Sequence, residues 1–242
     1  MYKIGVDEAG RGPAIGPLVV CALCIPESEI EILESIGADD SKLISRKKRD
    51  LLSSEILIEA EKRKWSIGMV VCDADRIDRE RKKINLNQLE IELFKEAINL
   101  TDMAANKGVI LADACDVNEQ RFEQRVKSVL GEKWGHWKVD AKHKMDSKEI
   151  VVGAASILAK VCRDKEINRI NDLLDVDIGS GYPSDPKTKN AVKKLVNDEL
   201  PNQFLRWSWA TVKNAWNEVH GTQIPIRQEI DEIRIQSSLN DW

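Results

Sequence analysis

The sequence has no long hydrophobic run and no regular cysteine framework. None of its 242 residues belongs to a stretch approaching the ~18 consecutive apolar residues of a membrane span. The first residues are typical of a strand, without the basic and then apolar regions of a signal peptide. Five cysteines are an odd number without regular spacing, which favours a reducing compartment. We therefore expect a cytoplasmic protein with no membrane association.

The chain also has little that could bind zinc or attract nucleic acid by bulk charge. Cys21 and Cys24 form one CxxC inside an apolar run, but no second CxxC or Cys/His pair completes a ligand set. We predict that both thiols pack in a core. The formal net charge is −4, so local clusters of positive charge must decide where a polyanion docks.

Strand-like and helix-like stretches alternate along the chain, which predicts an α/β fold. Strands are expected at residues 2–6, 17–26, 65–71, 108–113 and 134–139. Helices are expected at 46–62 after the N-cap Ser45, at 87–104, from the N-cap Asn118 onward, at 151–164 and at 186–199. In the helix at 87–104 the acids Glu90 and Glu92 are interpreted as surface charges.

Two adjacent acids follow the first predicted strand. Asp7 and Glu8 precede a loop of small residues and prolines, 10–17, where backbone can approach a ligand closely. The two acids repel each other, and a hard divalent cation is the simplest compensation. Solvated acids at a strand end explain this short segment equally well.

A second apolar strand, 108–113, also ends in an acid. Ligands of a parallel sheet bind at the carboxyl ends of its strands, so Asp7 and Asp113 should face one crevice, which favours the metal interpretation. Asp116 competes for this role, but the turn before the next helix explains it better. Asp146 lies in the basic segment 142–148, which is either a phosphate-binding loop around a metal ligand or an exposed ion-pair loop.

Three further segments carry candidate nucleic-acid contacts. Ser41 and Lys42 lie in a loop that either grips a phosphate or enters a helix with solvated charges. Tyr182 stands between Gly and Pro, where its ring is placed to stack on a sugar or base. In the small-residue helix at 151–164, Lys160, Arg163 and Asp164 are expected to emerge at its end.

Six blocks of sequence, in this order, resemble type 2 ribonuclease H in its archaeal form. They are Asp-Glu-Ala-Gly-Arg-Gly-Pro (7–13), Asp-Ser-Lys (40–42), Ala-Asp-Ala (112–114), His-Lys-Met-Asp (143–146), Ala-Ala-Ser-Ile-Leu-Ala-Lys-Val-Cys-Arg-Asp (154–164) and Gly-Ser-Gly-Tyr-Pro-Ser-Asp-Pro (179–186). The resemblance runs to about residue 220. It implies a mixed five-stranded sheet flanked by helices, with a catalytic domain over 1–185 and a helical C-terminal region over 186–242.

The resemblance also implies roles for single residues. The family's catalytic, metal-binding carboxylates fall on Asp7, Glu8, Asp113 and Asp146. Its nucleic-acid contacts fall on Gly10, Arg11 and Gly12 at the RNA–DNA junction, on Ser41 and Lys42 for a phosphate, and on Tyr182 for a deoxyribose. We add Lys144 and Arg163 as predicted nucleic-acid contacts. Two departures from the family pattern, Met145 and Cys162, remove no oxygen ligand.

These parts predict an endoribonuclease that hydrolyses the RNA strand of RNA–DNA hybrids. It is also expected to nick duplex DNA 5′ of embedded ribonucleotides, leaving 5′-phosphate and 3′-hydroxyl ends. Two Mg²⁺ or Mn²⁺ ions roughly 4 Å apart are expected with substrate. The alternatives are another two-metal nuclease or strand transferase of similar fold, and a non-catalytic module that binds hybrids. A monomer is expected.

Overall fold

The computed structural model describes residues 1–38 and 44–227. The strands are β1 Tyr2–Ala9, β2 Leu18–Pro26, β3 Ser66–Cys72, β4 Gly108–Asp113 and β5 Trp137–Lys142. The α-helices are α1 Ile30–Ile36, α2 Arg46–Arg63, α3 Ala74–Glu80, α4 Leu86–Leu100, α5 Glu119–Leu130, α6 Ile150–Leu173, α7 Pro186–Leu195 and α8 Ala210–His220. The predicted phosphate contacts Ser41 and Lys42 lie outside the described residues.

The strands form one mixed sheet in the order β3-β2-β1-β4-β5, which confirms the predicted architecture. Strand β2 is antiparallel to β1, whereas β4 runs parallel to β1 and β5 runs parallel to β4. Every residue of β2 except Pro26 is buried, as its continuous apolar run predicts. Strand β1 is the central strand, with β2 on one side and β4 on the other. Side chains at its end can therefore lie close to side chains from either neighbouring strand.

The predicted bounds of two strands are wrong. Strand β1 continues to Ala9, because Asp7 pairs with Cys21 and Glu8 pairs with Val20 of β2. Both acids therefore lie inside the strand and not in the loop after it. Strand β5 begins at Trp137, since the predicted start at Trp134 belongs to a 3₁₀ turn.

Two helix starts follow the capping rule used to predict them. The Ser45 hydroxyl accepts a hydrogen bond from the backbone N–H of Lys48 at 3.3 Å. The Asn118 side chain accepts one from the N–H of Arg121 at 2.8 Å. These side chains satisfy N–H groups that have no partner within the helix, and they set where α2 and α5 begin.

The chain divides into two compact units. Unit 1 comprises Met1–Ala9, Val19–Val71 and Leu86–Asp164, and unit 2 comprises Gly10–Leu18, Cys72–Asn85 and Lys165–Trp242. Each unit interleaves segments that are distant in sequence. The boundary predicted between residues 185 and 186 stays a prediction.

Each unit has its own hydrophobic core. In unit 1 the first half of α6 packs on the sheet so closely that a Cβ at Gly5 would lie 2.3 Å from the Val151 carbonyl oxygen. Cys21 and Cys24 are buried there as free thiols, as predicted, and burial raises the pKa of the Cys24 thiol to about 12. In unit 2 the core gathers Ile15, Leu205 and other apolar residues. Within the described residues, no helix is both long and apolar enough to cross a membrane.

Candidate active site

The two acids of β1 are successive residues near the end of the strand, and their carboxyl groups are hydrogen-bonded to each other. Asp7 is 4% exposed and is hydrogen-bonded by the Ser156 hydroxyl of α6, the helix that also packs on Gly5. Glu8 is also hydrogen-bonded to Glu90 of α4. The end of β1 therefore holds two carboxyl groups that are in direct contact.

The environment of Asp7 disfavours its negative charge. Burial and the neighbouring charge of Asp113 raise the pKa of Asp7 to about 6, against the opposing effect of hydrogen bonds from Ser156 and from the N–H of Glu8, the latter at 2.8 Å. Lys160 donates from Nζ to the Ser156 Oγ at 2.7 Å. Lys160 and Ser156, one turn apart on α6, thus form a chain of hydrogen bonds that ends on Asp7. The sequence interpretation did not single out this pair.

Glu8 is in a still more unfavourable position. Burial, followed by the charges of Glu90 and Asp7, raises the pKa of Glu8 well above its usual range. Glu90 is fully buried, so its interpretation as a surface charge is wrong. It lies beside Leu89 on the buried face of α4, whereas Glu92 is a surface residue paired with Lys95 at 3.1 Å. The position of Glu90 between the apolar residues Leu89 and Ile91, both buried in α4, was the sequence signal that could have predicted its burial.

The acid at the end of β4 lies beside Asp7. Val6 pairs with Ala112, so Asp7 and Asp113 are the next residues of two neighbouring parallel strands. The N–H of Met145 donates to Asp113 Oδ1 at 2.7 Å, which ties Asp113 to the 3₁₀ turn Met145–Ser147. Asp146 lies in this turn and is 7% exposed. The structure thus links Asp7 with both Glu8 and Asp113, and Asp113 with the turn that carries Asp146.

The donor chemistry of these residues fits a hard divalent cation. Glu8 Oε2 is buried and has no hydrogen-bond partner among the described residues, and burial together with neighbouring acids raises the pKa values of Asp7 and Glu8. Carboxylate oxygens are the ligands that Mg²⁺ and Mn²⁺ prefer. In the described parts of the chain, no three Asp, Glu, His or Cys side chains are already grouped as a formed ion site. The assignment of the four carboxylates as ligands stays a prediction.

Asp116 has the structural role that the sequence predicts. It is 1% exposed, accepts from the N–H of Asn118 at 3.3 Å and pairs with Arg121 and Arg125. The hydrogen bond from Arg121 lowers the pKa of Asp116 to about 2. These partners satisfy the carboxylate at the start of α5.

The two added basic contacts differ in exposure. Lys144 is exposed and adopts a left-handed backbone with φ 58°, which turns the chain into the Met145–Ser147 turn. Arg163 is only 6% exposed, so the expectation that it emerges at the end of its helix is wrong, because α6 continues to Leu173. Asp164 accepts from Arg49 at 2.7 Å. The roles of Lys144 and Arg163 at nucleic acid remain predictions.

In unit 2, the loop Gly10–Gly12 lies against the turn that carries Tyr182. Gly10 has φ 92°, a conformation that favours glycine, and a Cβ on Gly12 would lie 3.7 Å from the Tyr182 ring. The Gly181 carbonyl accepts from the N–H of Ala14 at 2.8 Å. The Tyr182 side chain is 38% exposed, so part of its ring is accessible.

A buried arginine that the sequence interpretation missed supports this loop. Arg206 is fully buried, and its guanidinium donates to the carbonyls of Gly10 at 2.6 Å, Arg11 at 3.0 Å and Gly16 at 2.9 Å. The indole Nε1 of Trp209 donates to the Gly12 carbonyl at 3.3 Å. An arginine flanked by apolar residues was the available signal, but nothing local indicates a partner almost 200 residues away.

Comparison with known proteins gives one consistent family. The family model described as Ribonuclease HII matches residues 4–212. A Ribonuclease HII of Methanothermobacter thermautotrophicus is 42% identical over 217 residues, which are 88% of this chain and 98% of that protein.

Solved structures agree with that match. Ribonuclease H2 from Pyrococcus horikoshii OT3 superimposes with a TM-score of 0.78 at 33% identity, over 92% of this chain and all of that one. Bst-RNase HIII in complex with Mn²⁺ gives a TM-score of 0.74 over 92% of this chain and 71% of that one. Its identity of 18% supports a likeness of fold alone.

Proposed function

The chain belongs to the ribonuclease HII family, and from this premise we propose that it nicks duplex DNA 5′ of embedded ribonucleotides as well as hydrolysing RNA in RNA–DNA hybrids. The family consists of metal-dependent nucleases with ribonuclease H activity. The proposal extends this shared activity to a particular substrate, to two-metal chemistry and to named residues of this chain.

The pairing of β1 with β4 supports the proposal most. It makes Asp7 and Asp113 neighbours at the ends of two parallel strands, where burial and, to a smaller extent, the charge of Asp113 raise the pKa of Asp7. Isolated carboxylates in such a position destabilise the fold, so the arrangement needs a compensating charge. Two Mg²⁺ or Mn²⁺ ions held by Asp7, Glu8, Asp113 and Asp146 would supply an activated water and stabilise the departing 3′-oxygen.

The chain's own residues prepare this centre. The hydroxyl of Ser156, itself bonded to Lys160, orients Asp7 and favours its charged form. The N–H of Met145 holds one oxygen of Asp113. Burial of Asp7 and Asp146 keeps competing water from their oxygens. Because the proposed metal ions would activate the attacking water, no Ser/His/Asp triad is needed.

Selectivity for a ribonucleotide is assigned to unit 2. The 2′-hydroxyl distinguishes RNA from DNA at a given site, and the backbone of the Gly10–Gly12 loop is available to bind it because glycine carries no side chain. Gly12 is exposed, and Tyr182 beside it offers an accessible ring for stacking on the sugar. Exposed Lys144 of unit 1 is proposed to contact a phosphate.

A duplex DNA with a single ribonucleotide tests the proposal. We expect Mg²⁺- or Mn²⁺-dependent nicking on the 5′ side of that residue, with 5′-phosphate and 3′-hydroxyl ends, and no cutting of the all-DNA duplex. Cutting of four-way junctions in place of this substrate would support another two-metal nuclease. Binding without cutting, at every metal concentration, would support a non-catalytic module.

A further inference from the structure

The carbonyl groups of three consecutive loop residues all point to side chains from one segment of unit 2. The Gly10 and Arg11 carbonyls accept from Arg206, and the Gly12 carbonyl accepts from Trp209. The guanidinium of Arg206 lies 4.9 Å from the centre of the Trp209 ring, so the two donors also brace each other. One buried cation and one indole therefore fix the orientation of the whole loop backbone.

This orientation determines where the loop's N–H groups point. A trans peptide is planar, with its C=O and the following N–H on opposite sides, and the described backbone contains no cis bonds. The Gly10 and Arg11 carbonyls face Arg206, so the N–H groups of Arg11 and Gly12 face away from it. Residue 13 is proline and has no N–H, so the loop presents these two donors on the side opposite the buried arginine.

We propose that Arg206 is a positioning residue for ribonucleotide selectivity, acting through the backbone of the Gly10–Gly12 loop with help from Trp209. The inference rests on the proposed function, in which this loop binds the 2′-hydroxyl. Arg206 does not touch substrate. It holds two peptide planes so that the N–H groups of Arg11 and Gly12 are aligned before substrate arrives, which reduces the cost of ordering them.

Arginine suits this task better than lysine. Its planar group carries five donors in a fixed fork, and here the fork reaches the carbonyls of Gly10, Arg11 and Gly16 together. Lysine at 206 would keep the positive charge but not the fork. Arg206→Lys should therefore leave some peptide planes of the loop free to rotate.

Unit 2 contains a matched control. Arg227 is also buried, lies 4.3 Å over the Trp207 ring, and donates to the carbonyls of Gln203 and Leu205. The indole Nε1 of Trp207 donates to the Asn202 carbonyl at 3.1 Å. Arg227→Lys and Trp207→Phe thus make the same substitutions in a second buried Arg–Trp pair, which donates to none of the Gly10–Gly12 carbonyls and in which Arg227 also pairs with Asp75 and Asp78.

The experiment compares binding of two duplexes without divalent metal, one with a single ribonucleotide and one entirely of DNA. We expect Arg206→Lys to reduce the wild-type preference for the ribonucleotide about tenfold, as for one lost hydrogen bond, with little change for DNA. With Mg²⁺, kcat/KM on the ribonucleotide substrate should fall ~10²-fold. Trp209→Phe, which loses a single donor, should show a smaller change in the same direction, and both controls should keep the wild-type preference.

The melting temperature of each variant is measured in parallel. If Arg206→Lys does not fold, the proposal is tested by comparing the ribonucleotide preference of Trp209→Phe with that of Trp207→Phe. The proposal is overturned if the folded loop variants keep the wild-type preference, or if the control variants lose it equally. Failure of the proposed function looks different, since the wild type itself would then neither prefer nor cleave the ribonucleotide duplex.

Discussion

Two regions of the molecule differ in how far their polar groups are satisfied. One is the carboxylate centre of unit 1, formed by Asp7, Glu8, Asp113 and Asp146, and the other is the Gly10–Gly12 loop of unit 2. In the centre, Asp7 and Glu8 have raised pKa values, and Glu8 Oε2 has no hydrogen-bond partner within residues 1–38 and 44–227. In the loop, the carbonyls of all three residues accept hydrogen bonds from Arg206 or Trp209. The first region is electrostatically incomplete and the second is already satisfied.

The difference agrees with the part of the reaction that we propose for each region. A site that gains cations only with its substrate has to tolerate like charges in its metal-free state, which costs stability. A loop that distinguishes one hydroxyl group from a hydrogen has to be rigid beforehand, because misplaced donors lose affinity for that group. Substitution of an acid in the carboxylate centre should therefore lower activity but increase the stability of the metal-free protein. Substitutions that affect the loop should lower selectivity for the ribonucleotide.

The largest effect is expected for Asp7→Asn. The substitution removes the charge of a proposed metal ligand at nearly constant volume, so cleavage of the single-ribonucleotide duplex should fall roughly 10³-fold in kcat, the upper range for losing one electrostatic stabiliser. A single-turnover assay with saturating Mg²⁺ measures it. Asp116→Asn is the matched control, because Asp116 is an equally buried acid that is neutralised by Arg121. An equal loss of activity in a folded Asp116→Asn protein would contradict a special role for Asp7.

A methyl group on Gly12 is expected to have the next largest effect. The Gly12 Cβ would make an ordinary contact with the Tyr182 ring at 3.7 Å, so Gly12→Ala should fold normally. The added carbon should nonetheless obstruct the approach of the sugar and lower kcat/KM ~10²-fold. Gly10 is a less suitable target, because its φ of 92° would strain any side chain. Wild-type kinetics for Gly12→Ala would show that substrate does not approach this backbone.

Removal of the Tyr182 ring should weaken binding by a smaller amount. If the accessible ring stacks on a sugar, Tyr182→Ala should lose ~1–3 kcal/mol of affinity for the duplex with one ribonucleotide. Tyr182→Phe keeps the ring and should bind nearly as the wild type does. Fluorescence anisotropy without divalent metal gives both values. If the alanine variant binds as tightly as the wild type, the ring serves packing alone.

The remaining expected effect is a pH-dependent change in stability. The pKa of Asp7 is about 6 in the folded protein against an ordinary value of 3.8, so the folded state binds more protons between these values. The contribution of Asp7 to stability therefore falls as the pH rises from about 4 to 6, and the penalty is complete above that range.

Asp7→Asn removes the titrating group, so the difference in stability between the variant and the wild type reports the contribution of Asp7. In metal-free buffer the variant should be more stable than the wild type by about 3 kcal/mol at pH 7, and the difference should disappear near pH 3.5. Urea unfolding at several pH values measures it. Equal unfolding free energies at pH 7 would show that the carboxylate is already compensated.

The sequence was sufficient where local pattern decides the structure. The apolar run ending in Asp113 predicts β4 with its observed bounds, and the caps Ser45 and Asn118 predict the starts of α2 and α5. The convergence of Asp7 with Asp113 follows from a general property of parallel strands, and the observed register agrees with it.

The sequence was insufficient where distant segments decide. Pairing with β2 extends β1 through Asp7 and Glu8, and neither residue favours a strand by itself. Burial of Glu90 depends on which face of α4 packs against β1. The apolar pattern of α4 alone does not decide whether Glu90 lies on that face or beside it. Arg206 contacts residues almost 200 positions earlier, so no local pattern could assign its partners.

The central claim is that Asp7, Glu8, Asp113 and Asp146 jointly bind divalent cations, and direct Mn²⁺ binding tests it most closely. Isothermal titration of the full chain with Mn²⁺ is compared for the wild type, Asp7→Asn, Glu8→Gln, Asp113→Asn and Asp146→Asn, with Asp116→Asn as the control. We predict that each of the four substitutions weakens or abolishes binding, whereas the control binds as the wild type does. Unchanged Mn²⁺ affinity in Asp113→Asn or Asp146→Asn would contradict the account.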